Sequence, residues 1–67
     1  MDLCMYLVEI NDKGIHGIII VAASDGLEVH QLARKAHPEL AFTGTKLIGY
    51  ALPHQSAGVI SESWWKN

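Results

Sequence analysis

The sequence predicts a small α+β domain that contains a β-hairpin, one helix and a third strand, in the order ββαβ. Two apolar, strand-like segments, residues 3–10 and 15–23, flank a short polar stretch that ends in glycine. An amphipathic segment with a helix-capping pattern follows, and a third apolar segment lies beyond Pro38. Because the 67 residues hold no repeat or linker-like stretch, we expect one domain over residues 1–67.

The hairpin is predicted from its turn. Asn11, Asp12, Lys13 and Gly14 separate the two strand-like segments. A glycine that closes a short polar stretch supplies the positive φ of a type I turn followed by a bulge. The second strand is therefore expected to return antiparallel to the first.

The helix is predicted from its caps and its apolar face. Ser24 or Asp25 can accept a hydrogen bond from a free backbone N–H of the first turn, and Glu28 completes a capping-box pattern. Pro38 disfavours helical geometry in the residue before it, so the helix should span about three turns. Residues at helical spacing form one apolar stripe, made of Val29, Leu32, Ala33 and Ala36.

The third strand is expected over residues 46–52, before the break at Pro53. A right-handed crossover through the helix would place it parallel to the second strand and beside the first, which gives the sheet order 2-1-3. Residues 58–61 are either a short fourth strand or an edge segment. We interpret residues 61–67, which hold two tryptophans, as a C-terminal tail.

Both faces of the predicted sheet are apolar. Met5 and Leu7 of the first strand point to one face, and Tyr6 and Val8 point to the other. A sheet with one solvated face normally alternates apolar with polar residues, so the face away from the helix should also be covered. The C-terminal tail, a second copy of the chain and a foreign partner are all candidate covers. The second strand shows the same pattern, with Ile18 and Ile20 alternating with Ile19 and Val21.

Composition excludes several classes of protein. With a net charge of −2, five basic and seven acidic residues, the chain lacks the basic surface that phosphate binding needs. One cysteine cannot form a disulfide scaffold. The longest uncharged apolar run, residues 18–23, is too short to span a bilayer, and no basic leader precedes it. We therefore expect a cytoplasmic protein.

Four histidines and one cysteine raise the question of a metal site or a catalytic site. His30 and His37 are two helical turns apart, about 10.5 Å, and cannot chelate one ion together. His16, His54 and Cys4 form no metal-binding pair with them. We therefore expect no metal, no cofactor and no catalytic residue. A small metal-binding protein or metal-dependent enzyme that uses these five residues remains an alternative.

The aromatic residues are the candidate partner-binding residues. Trp64 and Trp65 are large, rigid side chains of the kind that anchors protein interfaces. Tyr6 and Tyr50 lie in predicted strands and complete the candidate set. As a further alternative, the two tyrosines could stack on single-stranded nucleic acid on the open sheet face, although the basic surround of such a site is missing.

Short segments of the chain resemble small phage- and prophage-encoded ββαβ proteins of unknown function. They are residues 22–25 (AASD), 47–51 (LIGYA) and 58–61 (GVIS), within a resemblance that covers roughly residues 6–63. The resemblance implies an accessory protein that acts by binding, as inhibitors of host defence such as anti-CRISPR proteins do. Together with the apolar sheet, it predicts a non-enzymatic protein that binds another protein, inhibits a host system and forms a homodimer.

Overall fold

The computed structural model describes residues 3–66, which form one sheet of four strands with a helix on one face. The α+β class is confirmed. Neighbouring strands are antiparallel and lie in the order β3-β1-β2-β4. The elements in chain order are β1 (Cys4–Asp12), β2 (Ile15–Ala23), α1 (Gly26–Ala36), β3 (Phe42–Tyr50) and β4 (Gly58–Lys66).

The predicted hairpin is confirmed, but its turn is of another type. β1 and β2 pair without a break from Cys4 opposite Ala23 to Asp12 opposite Ile15. Only Lys13 and Gly14 connect them, with φ values of 54° and 76°. Positive φ at both central residues is the signature of a type I′ turn, not of a type I turn with a bulge. The type I′ turn is favoured in a two-residue hairpin because its backbone twist matches that of the strands.

The predicted helix caps are confirmed. The backbone N–H of Glu28 donates to Asp25 Oδ1 at 2.9 Å, and Glu28 Oε1 accepts from the N–H of Ser24 at 2.8 Å. The buried side of α1 is narrower than the predicted stripe. Val29 and Ala33 are buried, whereas Ala36, the last residue of the helix, is exposed.

The prediction for the C-terminal strands was only partly right. β1 does lie between β2 and β3, but the sheet order is 3-1-2-4 rather than 2-1-3 with a short fourth strand. β3 begins four residues earlier than predicted, and β4 continues through most of residues 61–67 as a nine-residue strand. Pairing with β2 supplies the hydrogen bonds that extend β4, and the Ser-Glu-Ser sequence suits a strand with solvent on one edge.

The core lies between α1 and one face of the sheet. Val29 of α1, Val8 of β1 and Ile19 of β2 belong to one buried cluster, and each of these side chains is at most 1% exposed. We call this side the helix-bearing face and the other side the far face. The buried core cluster is completed by Ile10, Val21 and Ala23, and the half-buried Tyr6, Leu32, Leu40, Phe42 and Val59 pack around it.

Candidate functional site

Two adjacent tryptophans near the end of β4 line an open groove. Because successive strand residues point to opposite faces, Trp64 lies on the helix-bearing face and Trp65 on the far face. At the sheet end they border an open groove of about 440 Å³, which is within the size range of ligand sites. The groove is lined by Ile15, His37, Leu40, Trp64 and Trp65.

Trp64 rests directly on the backbone of the neighbouring strand. It pairs with Gly17 of β2, and a Cβ atom at position 17 would overlap ring carbons Cε3 and Cζ3 of the indole. Glycine therefore makes the close approach of the indole possible. The contact fixes Trp64 against the sheet and leaves it 37% exposed toward the groove.

Glu62, His37 and Trp64 form a hydrogen-bonded cluster beside the groove. Glu62 Oε2 lies 2.9 Å from His37 Nε2, and Trp64 Nε1 donates to Glu62 Oε1 at 3.1 Å. These hydrogen bonds, first that of His37 and then that of Trp64, lower the pKa of Glu62 by stabilising its charged form. The rings of His37 and Trp64 also meet edge to face at 5.0 Å. The cluster joins the end of α1 to β4.

Trp65 is positioned by a second aromatic contact. Its ring stacks on His16 of β2, with ring centroids 6.2 Å apart and planes 9° apart. The two residues are also directly opposite each other in the β2–β4 pair. With 48% of its surface exposed, Trp65 presents a fixed aromatic surface to solvent.

The predicted partner-binding residues do not form one site. Tyr6 and Tyr50 lie on the helix-bearing face, because Tyr6 packs on the core and Tyr50 is opposite Cys4 on that face. Tyr50 is 82% exposed. Neither tyrosine lines the tryptophan groove. The far face does not carry the tyrosine pair of the predicted nucleic-acid stacking platform.

The far face is apolar at its centre. Met5 and Leu7 of β1 stand beside Ile18 and Ile20 of β2, and all four side chains are half-buried. No described helix or strand lies over them, since α1 packs on the other face and β4 joins the edge of the sheet. The tail that we considered as a cover is thus part of the sheet itself. Around this centre the far face carries Glu9, Lys46, Ser61 and Ser63 and, at one end, the 48% exposed Trp65.

The candidate metal ligands are dispersed over the fold. His16 lies in β2, His30 in α1, His37 at the end of α1 and His54 between β3 and β4. Within residues 3–66, no three histidine, cysteine, aspartate or glutamate side chains are grouped so that they could hold a metal ion. Cys4 is a free, half-buried thiol in β1. In this same part of the chain, no helix has the length and apolar character required to cross a membrane.

Sequence reasoning missed several residues of these surfaces. Glu62 and His37 are 25 positions apart, so only the pairing of β4 with β2 brings them together. One signal was available, because Glu62 and Trp64 alternate with Ser61, Ser63 and Trp65 in the pattern of a strand with two different faces. That alternation would have placed the two tryptophans on opposite sides of a sheet. The other residues that were missed are Ile15 and Leu40 of the groove and Leu47 of β3.

No family model, curated protein or solved structure matches this chain.

Proposed function

We propose that the protein acts by binding other protein chains rather than by catalysis, and that a second copy of the chain covers its far face. The observation that carries the proposal is the apolar centre of the far face, Met5, Leu7, Ile18 and Ile20, which no described helix or strand covers. Removing such side chains from water contributes about 25 cal/mol per Å² of apolar area. A continuous apolar sheet surface therefore favours association.

The dimensions of the far face suit a sandwich of two copies. Nine-residue strands are about 30 Å long, and four strands span about 19 Å. The flat area is then about 570 Å² per copy, or roughly 1,100 Å² for the pair, near the lower end of the range for specific interfaces. Side chains that rise from the sheet add to this figure, so a dimer of this kind is large enough to be stable.

The distribution of polarity on the far face supports the same conclusion. The apolar centre is bordered by Lys46 of β3 on one side, by Ser61 and Ser63 of β4 on the other, and by Glu9 of β1 and Trp65 of β4 at one end. An apolar core with a polar rim is the usual anatomy of a protein interface. Two further expectations stay predictions. The resemblance predicts that the protein is a phage-type accessory protein that inhibits a host system, and the composition predicts a cytoplasmic location.

Sedimentation equilibrium tests the proposed dimer. At about 100 µM the protein is expected to sediment as a dimer, because dimer formation removes the apolar centre of the far face from water. Ile18→Lys places a charge in the centre of the interface and should give a monomer. Gln31→Lys, on the exposed side of α1, is the matched control and should remain dimeric. A monomeric wild-type protein at this concentration would contradict the proposal.

A second measurement avoids the risk that Ile18→Lys fails to fold. The methyl group of Met5 gives an isolated NMR signal, and a soluble paramagnetic agent broadens it when the methyl is exposed. On the wild-type protein the broadening should decrease as the concentration rises from 10 µM to 1 mM, because the dimer shields the far face. Broadening that is independent of concentration, together with a monomeric mass, would rule out the dimer.

A further inference from the structure

The last strand of the sheet pairs on one side only. β4 is bonded to β2, and its other side is an edge of the sheet, because the strand order ends there. Residues 61–66 pair with β2 in unbroken register, and the register shift of this pair lies before them, at Ile60. We call the outer side of residues 61–65 the β4 edge.

The hairpin determines which backbone groups of β4 point outward. In a two-residue hairpin the residues that flank the turn, here Asp12 and Ile15, exchange backbone hydrogen bonds with each other. Because the bonding side alternates along a strand, every second residue of β2 from Ile15 onward bonds to β1. The residues between them bond to β4.

Two residues of the β4 edge therefore have outward-facing backbone groups. The β2 residues that bond to β4 are opposite Ser61, Ser63 and Trp65. Glu62 and Trp64 alternate with these residues, so their N–H and C=O groups point away from β2. In the part of the chain that the structure describes, no turn or loop bonds to these groups. The β4 edge thus offers two donors and two acceptors, about 7 Å apart along the strand, to an extended chain.

The opposite edge of the sheet is protected against strand addition, and the β4 edge is not. In its pairing with β1, β3 has register shifts at Thr43 and at Ile48, and it carries Lys46 between them. Bulges and lysines on an outer strand prevent pairing with further strands. Residues 61–65 contain no bulge, lysine or proline.

The charge of the β4 edge is bound within the chain. Glu62 is the charged residue among residues 61–65. Its Oε2 lies 2.9 Å from His37 Nε2, and its Oε1 accepts from Trp64 Nε1 at 3.1 Å. The carboxylate is thereby held on the side of α1, where it does not obstruct the outer backbone groups.

The position of α1 disfavours a second copy of the chain at the β4 edge. α1 packs on β2 and β4, so its axis lies roughly one strand spacing, about 5 Å, from this edge. Two copies that paired through their β4 strands would bring their α1 helices to about 10 Å, which is contact distance. Arg34 is exposed one turn before His37 on this flank, so like charges would meet. An extended segment without a helix on this face avoids the contact.

We propose that the β4 edge binds an extended segment of another protein, which adds a fifth, antiparallel strand to the sheet. Backbone hydrogen bonds to Glu62 and Trp64 hold the segment. It carries a large apolar residue opposite Trp64, whose indole is 37% exposed, and no acidic residue opposite Glu62. This edge is separate from the far face, so strand addition and dimer formation do not depend on each other.

A peptide selection combined with amide hydrogen exchange tests the proposed strand addition. The probe is a phage-displayed library of random nine-residue peptides, selected on the folded protein. Enriched peptides should slow the exchange of the Glu62 and Trp64 amides at least tenfold, because these amides face solvent in the free protein. The amides of Ser63 and Trp65 are bonded to β2 and should exchange slowly with or without peptide.

Two substitutions at one position separate backbone binding from side-chain effects. Glu62→Pro removes an outward N–H that takes no part in the pairing with β2, and it should weaken the peptides at least tenfold. Glu62→Ala is the matched control. It removes the carboxylate but keeps the N–H, and it should change the Kd by less than threefold.

Modified peptides give a second test on the wild-type protein, which remains decisive if Glu62→Pro does not fold. N-methylation of a peptide amide that faces β4 should abolish binding, whereas N-methylation of the next amide should not. Peptides that tolerate both modifications, peptides that leave the exchange of Glu62 and Trp64 unchanged, or a selection that yields no peptide would overturn the proposal.

The far-face variant separates this site from the dimer. Ile18→Lys should bind the selected peptides as the wild-type protein does, whether or not the wild-type protein is a dimer. Slow exchange of the Glu62 and Trp64 amides in Ile18→Lys at 1 mM without peptide would mean that a second copy occupies the β4 edge, and the proposal would then be wrong.

Discussion

The helix-bearing face is covered over β1 and β2 and open along β3. Val8 of β1 and Ile19 of β2 are at most 1% exposed in the core beneath α1, and we call this part of the face the covered region. Leu47 and Tyr50 of β3 are 58% and 82% exposed although they belong to the same sheet face, and we call their surface the open region. This difference indicates that the covered region supplies most of the stability and that the open region contributes little to it.

The sharpest test of this comparison places the same charge in each region. Val29→Asp puts an unpaired carboxylate at a position with no exposed surface and should cost about 3–5 kcal/mol. A domain of this size has roughly 3–10 kcal/mol of total stability, so this loss is a large fraction of it. Leu47→Asp in the open region should cost below about 1 kcal/mol. Urea denaturation followed by circular dichroism measures both, and equal losses would mean that the two regions do not differ.

A smaller effect is expected from adding one methyl group to Gly17 in the covered region, with Gly49, which lies opposite Met5 on the far face, as the control. Gly17→Ala forces Trp64 off the sheet and should cost about 1–3 kcal/mol, with a red shift of tryptophan fluorescence as the indole enters water. Gly49→Ala in β3 meets open space and should be neutral or stabilising by up to about 0.5 kcal/mol. Unchanged fluorescence in Gly17→Ala would show that the indole does not rest on this backbone.

The smallest effect concerns the Glu62 cluster, which joins the end of α1 to β4 at the edge of the covered region. The hydrogen bonds of His37 and Trp64 lower the pKa of Glu62 in the folded state, so the stabilisation is present above the unfolded-state value of about 4.3 and is lost as the pH falls below it. In Glu62→Gln, the free energy of unfolding should therefore fall less steeply at acidic pH than in the wild-type protein. The difference should be below about 1 kcal/mol, as for other exposed pairs. Urea denaturation between pH 3 and 7 measures the difference.

Glu39→Gln is the control for this prediction. Glu39 is exposed and lies in the segment between α1 and β3, outside the cluster. Its replacement should leave the decrease in the free energy of unfolding at acidic pH as it is in the wild-type protein. An identical response of the two variants would show that the contacts of Glu62 do not contribute to stability.

The local parts of the fold could be predicted from the sequence. Gly14 marked the hairpin turn, and Asp25 with Glu28 marked the start of α1, because turns and caps are formed by residues close together in the chain. β4 could not be bounded in this way. Its last residues are ordered by pairing with β2, more than forty positions earlier, and its serines and glutamate are also typical of a loop.

For the candidate surfaces, sequence reasoning could predict which residues take part but not where the fold places them. Composition and strand placement singled out Tyr6, Tyr50, Trp64 and Trp65, because aromatic residues are frequent in interfaces. Which of them share a surface depends on strand order and on the bulge between Met5 and Tyr6 in the β1–β3 pair. The exposure of Leu47 and Tyr50 depends, in addition, on which strands α1 covers, and that is decided by tertiary packing.

The packing of Trp64 on Gly17 restricts which substitutions this sequence can accept during evolution. The large side chain of one strand occupies the volume that its neighbour leaves empty, so the two positions share a single space. A larger residue at position 17 is expected to be accepted only where position 64 has become smaller. In any set of natural relatives the two positions should therefore change together, and the order of substitution should begin with the loss of the tryptophan.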